Sequence, residues 1–394
     1  MQAILKQKFK KQTARRQFTV EAHTGGMEVL THLATEWQTL CAEGPCDQPF
    51  FRPEWIRTYL QAFAPDKKLV VVTARLNGKL RAVLPLIEER ALLHGLPVRK
   101  LRSTGNVHSC RFDLIHGATD DTEAIQGIWN WLKQKTNWDV IELEDVPEGG
   151  ACEALMQCAD NEKYRCGKWE KPASPYLAMP AVEPGKLDEP LQLLLRSSLR
   201  KSLRKDRRKL EAQGPLQLVR LADFQPAQLA AFYQLEAAGW KGKAGTAIAC
   251  AAQTKQFYDQ VASFTATGGE FSLYSLVQNG HAIAMQYCLT SKGFCYLLKP
   301  TYDEQFSQYS PGSLLMEDIL RDLMARGFWE CDFMSPPSEW KKQWANGQRA
   351  QSSCYIFRRG LLGQALHAWK FQIVLHARQL KQNYQAGKII GGVS

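Results

Sequence analysis

The run LVVVTARLNGKLRAVLPLIEE sets two β-rich stretches on either side of Asn77-Gly78, a dipeptide whose tolerance of positive φ predicts a type I′ hairpin. FSLYSLVQNGHAIAMQYCLTS repeats the arrangement around Asn279-Gly280, and Lys292-Gly293 then turns into a third run, FCYLLKPTY. Each hairpin follows helical, aromatic-bearing sequence: MEVLTHLATEWQTL and FRPEWIRTYLQAF before the first, FQPAQLAAFYQLEAAGW before the second. Each also precedes a helix and another strand. In the first half these are DTEAIQGIWNWLKQK and WDVIELEDV; in the second, SPGSLLMEDILRDLMARG, with Leu314, Leu315, Ile319 and Leu323 at helical spacing, and FWECDFM. The order predicts an α/β fold, a mixed antiparallel and parallel sheet with helices on its faces, built by duplication.

The prolines of KWEKPASPYLAMPAVEPGKLDEP predict a boundary near residue 180, dividing a half at 1–180 from one at 181–360. One long helix, EPLQLLLRSSLRKSLRKDRRKLEAQG, is expected to follow, with an apolar stripe at Leu191, Leu195, Leu199, Leu203 and Leu210 and a stop at Gly214-Pro215. Residues 361–394 read as a basic helical extension. Its Trp369, Phe371, Ile373, Val374 and Leu380, with lysines and arginines between them, suit packing on the domain or a membrane surface.

Composition narrows the class. A chain of 394 residues with 45% hydrophobic content buries a large core and is long enough for two domains. The net charge of +11 implies an anionic partner without choosing among nucleic acid, membrane, phosphorylated cofactor and acidic glycan. The 11 cysteines are scattered singly, an odd count, so reduced and mostly buried thiols are expected. Cys152, Cys158 and Cys166 lack zinc-ligand spacing, and no metal is expected. MQAILKQKFKKQTARRQF carries no secretory apolar run and no stretch reaches bilayer-spanning length, so the expected location is cytoplasmic.

Two features bear on chemistry. From Arg196 to Lys209 the long helix carries a dense row of Lys and Arg, including Arg204, which is either a solvated face or a wall for an anionic substrate. No aromatics interleave with these charges to stack bases. In QYSPGSLLMEDIL a strand leads through Ser310, Gly312 and Ser313 into a helix start, where backbone N–H groups and the helix dipole hold phosphate; Ser310-Pro311 also serves as a plain helix start.

The run YLLKPTYDEQFSQYSPGSLLMEDILRDLMARGFWECDFMSPPSEWKKQWA resembles the core of the acetyltransferase family typified by the CelD/BcsL cellulose-biosynthesis proteins, a GNAT branch related to the FemAB peptidyltransferases. LRKSLRKDRRKLEAQGPLQL resembles that family's basic helix, and LEAAGWKGKAGTAI its Glu, Gly-Trp-Lys-Gly and Gly-Thr-Ala segment. The likeness is clear from about residue 185 to 357 and looser before it. It implies tandem GNAT-like domains and an acyl-CoA, notably acetyl-CoA, as donor. Gln308, Tyr309, Ser310, Gly312 and Ser313 then correspond to the pyrophosphate loop, although Leu314 stands where the family pattern has a second small residue.

Acyl transfer needs a base, and Asp303, Glu304 and Asp332 lie at strand ends where a cleft opens. Lys299 is a candidate for the developing oxyanion, and Tyr302 or Tyr309 for returning a proton to the thiolate. Glu236, Trp240, Lys241, Arg204 and Lys341 are candidates for the acceptor. Asp303 also fits as a turn cap, Asp332 as an ion-pair partner, Trp240 as core, and Lys299 and Lys341 as solvated charges. His108, beside Ser109 and Cys110, lacks the acidic partner of a nucleophile triad. The expected acceptor is a small molecule or glycan carrying an amine or hydroxyl, in polysaccharide or cell-envelope synthesis. The alternatives are aminoacyl transfer from charged tRNA and a non-catalytic place, peripheral to the inner membrane, in a polysaccharide-synthesis assembly.

Overall fold

The computed structural model describes residues 18–373 apart from 45–46, 94, 118–121, 136, 183–186 and 335; the basic start of the chain, Val374 and Leu380 lie outside them. The first stretch of chain supplies β1 (Phe18–Gly25), α1 (Glu28–Glu43), α2 (Pro53–Phe63), β2 (Lys68–Leu76), β3 (Lys79–Leu93), β4 (Leu96–Ser103), β5 (Ile115–His116), α3 (Thr122–Gln134), β6 (Val140–Pro147), α4 (Ala151–Asn161) and β7 (Arg165–Ala178). The second supplies α5 (Asp188–Leu194), α6 (Ser197–Glu211), β8 (Leu216–Leu221), α7 (Pro226–Ala238), α8 (Trp240–Lys243), α9 (Ala252–Thr267), β9 (Phe271–Gln278), β10 (His281–Ser291) and β11 (Phe294–Tyr302). A 3-10 helix (Glu304–Tyr309) then leads into α10 (Pro311–Ala325), β12 (Glu330–Asp332), α11 (Glu339–Trp344), β13 (Gly347–Phe357) and α12 (Leu361–Ala368).

The three predicted turns form as read. Asn77 and Gly78 take φ of 53° and 79°, Asn279 and Gly280 49° and 81°, Lys292 and Gly293 43° and 80°. Paired left-handed residues of this kind match the twist of the strands they join.

Among the described residues all strands belong to one sheet, ordered β1-β2-β3-β4-β6-β13-β7-β12-β11-β10-β9-β8, with β5 beside β3. Strands β1 to β4 are antiparallel neighbours, β4 runs parallel to β6, and β6 antiparallel to β13. The second unit repeats this: β8 to β11 antiparallel, β11 parallel to β12, β12 antiparallel to β7. Each unit thus takes its last strand from the other's stretch of chain, and the exchanged strands β7 and β13 pair with each other.

Two expectations change. Lys168 to Ala178 of the proline-rich stretch read as a linker belong to β7. Pro172 and Pro175 flank the register shift between Arg349 and Gln351 of β13, and a bulge accepts proline because its ladder hydrogen bond is already interrupted. A division of the chain at 180 therefore does not coincide with the division of the sheet. The long basic helix is two helices, broken where Leu195 and Arg196 turn extended at ψ 136° and 143°. Ser197 and Ser198 favour a helix start over an interior, and the break lets Leu191, Leu195, Leu203 and Leu210 reach one core.

The units share a core. Trp37, Phe50 and Trp55 of the first pack with Phe257, Tyr287 and Tyr296 of the second, and the Phe50 ring meets Trp55 at 4.9 Å and Tyr296 at 5.1 Å, both edge-on. Among the described residues no two cysteines are joined by a disulfide.

A partly buried charge cluster crosses the same junction. Arg52 pairs with Glu270 at 2.6 Å and Asp47 at 2.9 Å, and Lys292 approaches Asp47 at 3.5 Å. Burial pushes the Glu270 carboxyl up to about 7, Arg52 opposing and Asp47 and Glu54 adding to the rise. A folded value above the unfolded one favours the native state below the unfolded value, and the benefit is lost as pH rises through the folded value. The melting temperature is therefore expected to fall between about pH 5 and pH 8, by an amount equivalent to at most about 3 kcal/mol. Glu270→Gln should flatten the profile; an unchanged slope in differential scanning calorimetry refutes the assignment.

Candidate active site

The parallel strands β11 and β12 pair only over Phe294–Tyr296 and Glu330–Asp332. Beyond Tyr296 the end of β11 parts from this neighbour, opening a fork at the carboxyl ends of two parallel strands, the usual place for a ligand cleft. A cavity of about 470 Å³ occupies it. Pro300, Thr301 and Tyr302 of β11 and Met285 and Gln286 of β10 form one wall. Leu315, Met316 and Ile319 of α10 form the apolar wall opposite, Trp340 of α11 closes one side, and Glu236, Trp240 and Lys241 form the rest.

The polar centre is a buried ion pair. Lys241 Nζ donates to Glu236 Oε1 at 2.8 Å and to the Pro300 carbonyl at 2.5 Å, and Glu236 Oε2 accepts from the Ile248 N–H at 2.8 Å. Glu236 is 1% exposed. An ammonium carries three protons; two are used here, leaving one for the cavity. The glycines around it place the lysine: a Cβ on Gly242 would fall on the Ala237 carbonyl, and Gly245 has φ of 68°. They let the chain fold back at the end of α7 so that Lys241 reaches the end of β11. Trp240 stands on the rim, 57% exposed.

The loop from β11 to α10 differs from an open phosphate cradle. Asp303 caps the 3-10 helix, accepting from the Gln305 N–H at 2.9 Å. Glu304 pairs with Lys243 at 2.6 Å, a contact that holds its carboxyl below the usual range. Ser310 sits in the left-handed region at φ 52°. Pro311 has no N–H, and the Ser313 and Leu314 N–H groups both bond to the Ser310 carbonyl. The Gly312 N–H is left as the donor at the helix start. Ser313 Oγ accepts from Trp340 Nε1 at 3.1 Å. Gln308 is exposed and outside the cavity, and the Tyr309 hydroxyl is engaged by Gln213 at 2.8 Å.

The other candidates lie apart from this centre. Asp332 is fully buried, bonded by Arg111, by Arg349 at 3.0 Å, by Ser174 at 3.2 Å and by the Met334 N–H at 2.8 Å. So saturated with donors, it is an anchor for the loop carrying Arg111 and is badly placed as a base. Lys341 Nζ donates to the Met334 and Pro336 carbonyls at 2.7 and 2.9 Å, pinning the loop after β12; burial lowers its basicity. Lys299 lies 5.4 Å from the Tyr258 ring of α9, its basicity lowered by burial and then by Lys241. Beside it, burial and Lys299 hold His108 near 4, and its ring bonds the Tyr258 hydroxyl at 3.2 Å. Arg204 is exposed on α6, away from the cavity lining.

Helix α6 flanks α10, joined by Arg207 to Glu317 at 3.2 Å and to Asp318 at 2.6 Å. Lys201, Arg204, Lys205 and Arg208 remain exposed along it. The structure thus brings Glu236, Trp240 and Lys241 together with Ser310, Gly312 and Ser313. Sequence reading missed Gln286, whose signal was a lone polar residue inside the apolar run IAMQYCL, and Trp340.

Residues 197–342 match the family model described as an acetyltransferase (GNAT) domain. The match spans α6 to α11, with the fork and cavity inside it, and the first unit repeats its strand order. The fold is a tandem of two GNAT-like units, the second of which contains the matched acetyltransferase (GNAT) domain, and the protein is a transferase enzyme. No curated sequence matches the chain. Among solved structures, that of FemX superposes with a TM-score of 0.59 at 10% identity, covering 89% of this chain and 99% of the other. A protein of unknown function from Bacteroides thetaiotaomicron superposes with a TM-score of 0.50 at 8% identity, covering 86% and 100%. At these identities the likeness is one of fold. Among the described residues no cluster of His, Cys, Asp and Glu suits a metal, and no helix is long and apolar enough to cross a membrane.

Proposed function

We propose that the chain transfers an acyl group, acetyl foremost, from a CoA thioester held in the fork between β11 and β12 to an amine or hydroxyl on a small-molecule or glycan acceptor. The observation that carries this reading is the Glu236–Lys241 pair set in an otherwise largely apolar cavity that begins at the Gly312 N–H. The free proton of Lys241 donates to the carbonyl oxygen as charge develops on it. The acceptor's nitrogen or oxygen attacks the carbonyl carbon and gives up its proton to the Glu236 carboxylate, directly or through one water. The carbon–sulfur bond breaks, and the Tyr302 hydroxyl on the cavity wall returns a proton to the thiolate. The resemblance to CelD/BcsL proteins supports a polysaccharide or cell-envelope acceptor.

A Cβ at Gly312 meets nothing nearer than Tyr302 Cδ1 at 3.9 Å, so a substituted side chain would occupy the cavity without disturbing the helix. Gly312→Glu is expected to weaken acetyl-CoA binding at least roughly 100-fold by calorimetry, through lost space and charge repulsion, with little change in melting temperature. No saturable binding of acetyl-CoA to the unaltered protein at millimolar concentration sinks the CoA reading.

A second reading, aminoacyl transfer from charged tRNA, is favoured by the exposed basic row of α6 beside α10 and by a loop that offers a single free N–H. It predicts that tRNA binds with a steep salt dependence and that Lys201→Glu with Lys205→Glu weakens it, while CoA binds weakly.

A further inference from the structure

We propose that the face formed by α12 and the end of α4 docks on an anionic lipid surface. A concavity of about 460 Å³ opens there, sharing no lining residue with the β11–β12 fork, lined by Lys163, Arg165, Arg358 and Arg359 with Asp160 as the lone carboxylate of its lining. Its cations are set in place. Arg358 donates to the Lys135 and Trp138 carbonyls at 2.6 and 3.4 Å, and the Arg359 guanidinium lies 4.5 Å from the Tyr164 ring. Lys163 takes a left-handed φ of 64°, which ends α4 at the concavity, and Lys163, Arg165 and Arg359 are exposed.

Next to this basic cup the chain presents apolar side chains to solvent. Leu361 is 85% exposed and Leu362 43%, and Trp369 and Ile373 follow at 45% and 53%. Leu361, Ala365, Trp369 and Ile373 recur at intervals of four along α12 and the turn after it, while Leu366 is fully buried and Phe371 packs on Trp169, Tyr355 and Phe357. The segment is fastened inward by one face and shows an apolar stripe outward.

An apolar stripe bordered by cations is the pattern of a helix lying in the interface of a negatively charged bilayer, its leucines and tryptophan in the acyl boundary and its basic groups at the phosphates. A protein partner or a second copy of the chain would use the stripe without needing the cup; an anionic lipid surface uses both. The docking is independent of which acyl donor the fork holds, and it would keep the enzyme beside acceptors that are built at a membrane.

The test is co-sedimentation of the full chain with vesicles of phosphatidylcholine alone and with 30% phosphatidylglycerol, at low and at high salt. The expected result is binding to the anionic vesicles alone, reversed by salt. Lys163→Glu/Arg165→Glu/Arg359→Glu and, separately, Leu361→Asp/Leu362→Asp should each weaken it at least roughly tenfold. Both variants should keep the unaltered protein's near-ultraviolet circular dichroism. Lys201→Glu/Lys205→Glu on α6 should bind as the unaltered protein does. Three results overturn the proposal: no binding to anionic vesicles at low salt, full binding by both α12-face variants, or a vesicle-free dimer that Leu361→Asp/Leu362→Asp dissociates, which would make the stripe an interface between copies.

Discussion

Replacing Lys241 with methionine is expected to slow acyl transfer by roughly 10²–10³-fold, the usual cost of removing one donor from a developing oxyanion, while donor affinity changes little. The substitution also strands Glu236, a carboxylate 1% exposed whose remaining partner is the Ile248 N–H. A buried charge left without its counterion is destabilising, so the single variant loses stability as well as rate. The double variant Glu236→Gln/Lys241→Met separates the two effects, because it removes the stranded charge. Melting temperature should recover in the double variant and the rate should not. Recovery of both would show the pair to be a brace between α8 and β11 and would remove it from the chemistry.

The second large effect is expected at Asp332. Asp332→Ala leaves Arg111 and Arg349 facing each other with the Asp332 carboxylate gone, and breaking a buried pair from one side costs about 3–5 kcal/mol. Arg111 comes from the loop after β4 and Asp332 from β12, so the loss should also loosen the contact between the two units. Urea denaturation of Asp332→Ala, with Asp332→Asn as a milder companion, measures it. A variant of undiminished stability that has lost activity would restore Asp332 as the catalytic carboxylate that its place at a strand end suggests.

Much of the fold was legible because its determinants are local. Asn77-Gly78, Asn279-Gly280 and Lys292-Gly293 prescribe left-handed turns whatever surrounds them, and the helical spacing of Leu314, Leu315, Ile319 and Leu323 marks the buried face of α10 without reference to other elements. The repeat of hairpin, helix and strand made the duplication readable. What could not be read was the exchange of β7 and β13. Pro172 and Pro175 punctuate a linker on local grounds, and they are compatible with a strand through a bulge whose other half lies in β13, far along the chain.

The candidate site divides in the same way. The sequence by itself determined the helix start at Ser310–Ser313, the glycine-rich segment that turns Lys241 back, and the charge of α6, because each depends on backbone freedom or composition within a few residues. Only the tertiary structure decided which charged groups meet. Asp303 and Glu304 were spent on a cap and on Lys243, Asp332 on two arginines, and Lys341 on two carbonyls, while Glu236 and Lys241 were left together at the cavity with one proton free. A carboxylate's role follows from its donors and from its access to solvent, and those come from β13, from the loop after β4 and from the turn after α7, positions whose spacing in the chain carries no trace of their contact.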